Sequence, residues 1–149
     1  MNAVDLVAIA RSIVDTNRFM ALGTADGGGT PWVSPVWYAP VSYRQYIWVS
    51  RPGTRHSRNL AERPQVAITI YDSHRPGGWA ALYMAGVAAE IDDVDPALAV
   101  FNRRSEAQGL RAWSRDEVAV GGEFRLYRAT IGEQFVLDDH DGRRPVNVK

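Results

Sequence analysis

The residues best suited to chemistry lie together between positions 50 and 60. A predicted strand ends at Ser50, a Pro-Gly turn follows, and Thr54 is a good N-cap for a short helix that carries Arg55 and His56 in its first turn. Free amide N–H groups at a helix start favour an anion, whereas an arginine there is unfavourable by about 0.3–1 kcal/mol unless something negative is bound. The segment therefore predicts a phosphate site, with donors from Arg55, His56 and the hydroxyls of Ser50, Thr54 and Ser57. The alternative is a solvated basic helix whose arginines point to water.

The elements that must position this segment are mostly strands. Apolar residues at helical spacing predict a helix over residues 4–16, and Asp95–Pro96 opens another that runs to about Gly109. Gly27 to Gly29 form a hairpin turn, and a glycine in the middle of residues 79–91 predicts a bend or bulge. The tail, residues 139–149, is expected to be loose. Strands are predicted over residues 19–26, 30–39, 45–50, 65–72, 79–91 and 123–138.

Hairpins and short links between the first four strands favour an antiparallel arrangement over an open parallel sheet. The predicted fold class is therefore mainly β (α+β), a six-stranded antiparallel β-barrel with short flanking helices. No linker or repeat divides the chain, so residues 1–149 are expected to form one domain.

Composition excludes several classes of function. The chain has 17 basic and 17 acidic side chains and no cysteine, which argues against nucleic-acid binding and rules out thiolate chemistry. Its first residues resemble neither a signal peptide nor a membrane span, so a cytoplasmic location is expected. No Gly-x-Ser-x-Gly elbow or carboxylate pair indicates a hydrolase. The acidic run around His140 is interpreted as a solvated loop rather than a metal site.

Three stretches in order carry a family resemblance: WVSPVWY (32–38), YIWVS (46–50) and GTRHSRNLAERPQVAITI (53–70). Together they resemble the signature of the pyridoxamine 5'-phosphate oxidase-like FMN-binding split-barrel family. That signature has a Val-Pro second strand, a third strand ending in Ser or Thr, a loop with two basic residues, and an Asn-Leu…Pro-x-Val entry to the fourth strand. The resemblance covers residues 19–91 and implies a split barrel.

The resemblance also implies positions for the cofactor. The stretch from Trp32 to Trp37 lines the flavin ring and ribityl chain through the backbone of Ser34 and Val36, and the phosphate is held at the two basic positions. In this family the partner subunit closes the pocket, which implies a homodimer with Ala81, Trp113 and Phe135 as candidates from across the interface. The cofactor-binding residues so predicted are Trp32, Ser34, Val36, Trp37, Val49, Ser50, Thr54, Arg55, His56, Ser57, Ala81 and Trp113.

Three departures from the family pattern concern the ligand. His56 stands where lysine is usual, and imidazole is only partly charged near neutral pH because its ordinary pKa is about 6.5. Trp32 stands where an arginine is often found. The Arg-x-His segment of true pyridoxamine phosphate oxidases has no counterpart in residues 137–149, so oxidation of that substrate is not expected.

The preferred hypothesis is an FMN-dependent oxidoreductase acting on a small molecule, with no side chain required as a catalyst because the flavin supplies the chemistry. One alternative is a deazaflavin (coenzyme F-420)-dependent reductase of the same fold. Others are a non-enzymatic protein that binds flavin or haem, and a scaffold that has lost its cofactor.

Overall fold

A computed structural model describes residues 2–74 and 80–149 of the chain. The described residues form four helices and eight strands. The helices are α1 (Ala3–Thr16), α2 (Arg55–Glu62), α3 (Val94–Ala107) and α4 (Arg115–Val118). The strands are β1 (Phe19–Ala25), β2 (Pro31–Trp37), β3 (Ala39–Ser42), β4 (Gln45–Ser50), β5 (Gln65–Tyr71), β6 (Ala81–Glu90), β7 (Arg125–Leu137) and β8 (Arg143–Pro145). None of these helices is long and apolar enough to cross a membrane.

The strands form one antiparallel sheet that must curl on itself. Its order is β2-β1-β5-β6-β7-β4-β3, with β8 pairing to β7. β2 and β3 lie at opposite ends of this path, yet only Tyr38 separates them in the chain. The sheet therefore bends until its two ends meet, which is the curled, split barrel that the sequence predicts.

The barrel interior and one outer flank hold separate apolar cores. Alternate residues of each strand fill the interior, where Trp48 and Tyr46 are fully buried and α1 contributes Leu6 and Ile13. The second core lies where α3 and α4 cover β3, β4 and the start of β7, around Phe101. This division matters for function because the side chains of odd-numbered and even-numbered residues in β2 and β4 lie on opposite faces of the sheet.

The structure corrects the predicted count of six strands, because the predicted strand 30–39 is divided at Tyr38 into β2 and β3 and the tail adds β8. The tail is also not loose. The buried side chain of Gln134 accepts a hydrogen bond from the Val148 amide at 2.9 Å, and Val148 is itself buried. α3 begins at Val94 rather than at Pro96, and α4, which was not predicted, begins at a capping box formed by Ser114 and Glu117. Trp79, in the predicted strand 79–91, lies outside the described residues.

The predicted bulge is confirmed at Gly86, where the β6–β7 register shifts between Ala85 and Gly86. A Cβ at Gly86 would lie 2.1 Å from the carbonyl oxygen of Thr130 and 2.9 Å from Cα of Ile131. The close approach of these two backbones leaves no room for a side chain at this position.

We expect Gly86→Ala to lower the free energy of unfolding by about 1–3 kcal/mol, because the barrel must widen to admit the methyl group. Gly132→Ala is a matched control in the paired strand, since its nearest contact would be at an ordinary 3.8 Å. Urea unfolding of both variants and the parent measures the difference. Equal midpoints for the two variants would show that the close approach does not constrain the barrel.

Candidate functional site

The site begins where β4 ends and α2 starts. Thr54 caps the helix, since its hydroxyl accepts a hydrogen bond from the Ser57 amide at 3.3 Å and its carbonyl accepts one from the Arg58 amide at 3.0 Å. The amides of Arg55 and His56 belong to the first turn, where N–H groups have no partner within the helix. This end of α2 therefore offers backbone donors to an anion.

His56 lies between two strands that the chain separates widely. Its Nε2 is 2.8 Å from the hydroxyl of Ser50 at the end of β4, and its Nδ1 is 3.1 Å from the hydroxyl of Ser34 in β2. The residue is only 8% exposed, and this burial lowers the pKa of His56 below its ordinary value. The ring is thus neutral at pH 7, with one nitrogen donating and the other accepting.

Arg55 supplies the positive charge at the surface of the site. Its guanidinium carbon lies 4.2 Å from the centroid of the Trp32 ring, which is 40% exposed at the start of β2. Among the described residues, no carboxylate lies within ion-pair distance of Arg55. The indole face holds the cation without neutralising it, so the charge stays available to a ligand.

Hydroxyl groups fill the space behind the first turn of α2. The Thr54 hydroxyl lies 2.7 Å from that of Ser57, and Tyr127 of β7 borders the same cavity as Ser57. Burial raises the pKa of the Tyr127 phenol, so it remains protonated. A cavity of about 400 Å³ adjoins this cluster, lined in part by Ser57, Arg58 and Tyr127.

The structure brings seven of the predicted residues together through these contacts and places Val36 on the same face of β2. The seven are Trp32, Ser34, Ser50, Thr54, Arg55, His56 and Ser57. The Ser34 side chain contacts His56, and the predicted contribution of its backbone to a flavin site stays a prediction.

Four predicted residues lie elsewhere in this chain. Trp37, Val49 and Trp113 pack in the core beneath α3 and α4, and the Trp37 indole donates to Gln108 at 2.8 Å. Ala81 lies at the start of β6, opposite Tyr71. Roles for Ala81 and Trp113 across a subunit interface are not addressed by a single chain and stay predictions.

Sequence reasoning missed Tyr127 as a member of the site. Strand alternation predicts that it faces inward, but no local signal indicates that β7 lies beside β4 and brings residue 127 to residue 57. The nearest available clue was its aromatic type in a predicted strand.

The acidic run in the tail forms a turn. The buried Asp138 carboxylate accepts hydrogen bonds from the amides of His140 at 2.9 Å and Gly142 at 2.7 Å, which lowers the pKa of Asp138. The neighbouring Asp139 and His140 are paired at 2.9 Å and exposed. These contacts give Asp138 a structural part in leading the chain from β7 into β8.

The donor set at the start of α2 fits a phosphate monoester. It combines an unneutralised guanidinium, first-turn amides and hydroxyls, all of which donate hydrogen bonds to phosphate oxygens. An FMN phosphate could be held here by Arg55, the α2 amides and the hydroxyl of Ser50 or Ser57. The neutral imidazole of His56 would add hydrogen bonds but no charge.

Comparison with known proteins agrees with this architecture. The family described as pyridoxamine 5'-phosphate oxidase matches residues 7–136. HutZ, the haem storage protein of Vibrio cholerae, is 22% identical with a TM-score of 0.68, and the match covers 88% of this chain and 94% of HutZ. A haem-binding protein of Mycobacterium smegmatis is 21% identical with a TM-score of 0.73, over 95% of this chain and 57% of that one. No curated protein matches the sequence.

A third solved structure, an F420 reductase, is 18% identical with a TM-score of 0.63, and the match covers 83% of this chain and 94% of the reductase. At such identities the likeness establishes a shared fold. The fold is thus common to proteins named for different ligands, so the ligand must be argued from the residues of the site.

The buried state of His56 predicts a pH dependence of stability. Because burial lowers its pKa in the folded chain, the unfolded chain binds a proton first as the pH falls. This contribution is complete above about pH 6.5 and is lost as the pH falls through the folded pKa. The free energy of unfolding of the parent should therefore fall relative to that of His56→Gln between pH 7 and 5, by at most about 1.4 kcal/mol per pH unit. Urea unfolding at pH 7, 6 and 5 measures this, and parallel profiles would contradict it.

Proposed function

Because this chain belongs to the pyridoxamine 5'-phosphate oxidase family, we propose that it binds FMN at the start of α2 and acts as a flavin-dependent oxidoreductase on a small molecule. The observation that carries the proposal is the Arg55 guanidinium, held on Trp32 beside the first-turn amides with no carboxylate near it in the described part of the chain. The guanidinium and the amides therefore make more favourable electrostatic interactions when a phosphate is bound than when the site is empty.

Bound flavin supplies hydride or electron transfer. The residues of the chain bind and orient it: Arg55 and the α2 amides hold the phosphate, and β2 extends from Trp32 along the direction expected for the ribityl chain and ring. His56 fixes the relative positions of β2, β4 and α2 through its two hydroxyl contacts. No side chain in this set acts as an obvious acid or base at pH 7, which suits chemistry carried by the cofactor.

We expect Arg55→Ala to weaken FMN binding at least tenfold, about 1.4 kcal/mol, because the phosphate loses its charged donor. Riboflavin, which lacks the phosphate, should bind the variant and the parent equally. Arg103→Ala is a matched control, since Arg103 is exposed on α3 and its loss changes the net charge by the same amount. Quenching of flavin fluorescence gives the dissociation constants. An unchanged constant for FMN in Arg55→Ala would remove Arg55 from the site.

The outer face of the sheet supports a homodimer, which we propose as the functional form. Alternation and register place Phe19, Val33, Tyr71 and Val87 on this face, at 58%, 64%, 57% and 50% exposure. So many exposed apolar side chains on one face are typical of an interface between subunits. Ala81 and Phe135 belong to the same face by register, which is consistent with their predicted contribution to the pocket of a partner.

Val33→Asp should shift the dimer towards monomer at micromolar concentration, because the carboxylate would be buried against the second copy. Val120→Asp is the control, since Val120 is 91% exposed and lies outside the strands. Sedimentation velocity distinguishes the species. A parent protein that sediments as a monomer would rule out the dimer, and a Val33→Asp variant that stays dimeric would place the interface elsewhere.

Two alternatives follow from the structural neighbours and are decided by the same titrations. The same fold occurs in an F420 reductase and in two proteins named for haem, so a deazaflavin and haem are the alternative ligands to test. If the protein binds a deazaflavin and does not bind FMN, the first alternative is supported. A Soret band after addition of haem supports the second.

We further propose that the chain is a single domain.

A further inference from the structure

We propose that Ser34, His56 and Ser50 form a proton-operated donor switch, in which His56 takes up a proton when a phosphate binds and both serine hydroxyls are then free to donate. This inference rests on the proposed function, since it concerns the same phosphate site. A lysine in place of His56 could not perform this role, because its ammonium group donates hydrogen bonds and accepts none.

The switch follows from hydrogen-bond geometry. In the neutral ring one nitrogen carries a hydrogen and the other accepts, so one of the two serines must donate its own hydrogen to the ring. When the ring is protonated, both nitrogens donate and both hydroxyl oxygens accept. The hydroxyl hydrogen that one serine formerly donated to the ring is then available to a ligand. One proton taken from water thus creates both a positive charge and an additional hydrogen-bond donor.

Burial favours the neutral state of the ring before a ligand binds. The charged side chains of α2 and of the adjoining ends of β4 and β7 are the cations Arg51, Arg55, Arg58 and Arg125 and the carboxylate of Glu62. Glu123 pairs with Arg51, and Glu90 lies 3.7 Å from Arg125. β2 contributes no titratable group. No carboxylate is hydrogen-bonded to the ring in the described part of the chain.

A phosphate at the start of α2 reverses this balance. Its negative charge next to a poorly solvated imidazole favours the protonated form and raises the pKa of His56. Because binding and protonation are linked, each must strengthen the other. The affinity for a phosphorylated ligand therefore rises as the pH falls towards neutrality from the alkaline side.

The test measures FMN and riboflavin binding between pH 8.5 and 6.5, a range in which the phosphate of FMN is mainly dianionic. The dissociation constant of the parent for FMN should tighten at least threefold more over this range than that of His56→Gln. His56→Lys should bind FMN more tightly than the parent at pH 8.5 and show little change. Riboflavin binding should not vary with pH in any of the three proteins.

Calorimetry in two buffers of different ionisation enthalpy gives a readout that a purely structural role would not change. At pH 7 the parent should take up a measurable fraction of a proton with FMN beyond that taken up by His56→Gln. If FMN binds and the profiles and proton uptake of the two proteins coincide, the switch is wrong and the proposed function stands. If neither FMN nor riboflavin binds at any pH, the proposed function falls, and the switch with it.

Discussion

The contact of one buried imidazole with two hydroxyls unites the elements from which the site is built. Ser34, Ser50 and His56 come from β2, β4 and α2, which are separated in the sheet path or in the chain. β2 and β4 lie on either side of the place where the barrel closes. This contact therefore fixes the position of one edge of the split barrel relative to the other. It also holds the first turn of α2 against both strands, and thus sets where its amides and Arg55 lie. The geometry of the proposed phosphate site depends on it.

The neighbouring residues Arg55 and His56 differ in both charge and burial. Arg55 keeps its charge at the surface on the Trp32 ring, whereas His56 is buried and loses its charge at neutral pH. A site with two permanent cations would repel itself when empty. With a neutral imidazole, the empty protein carries one cation beside the helix start and can acquire a second when an anion arrives.

Local signals in the sequence predicted much of this. The N-cap at Thr54, the start of α2 and the bulge at Gly86 each follow from the conformational preference of one residue type. The same local signals predicted that Ser50, Thr54, Arg55, His56 and Ser57 lie together, and the family resemblance added Trp32 and Ser34 of β2. The hydrogen bonds of His56 could not be predicted, because the contact with Ser34 spans 22 residues and depends on how far the barrel closes. The same reason applies to Gln134, which holds the tail by reaching across strands.

We propose that the start of α2 holds the phosphate of a flavin. A crystal structure of the protein grown with excess FMN tests it most directly. We expect the phosphate to contact the Arg55 guanidinium and the first-turn amides, with Arg55 still near Trp32. Flavin bound with its phosphate elsewhere, or a start of α2 closed by the side chains of the protein itself, would contradict the account and leave only the barrel.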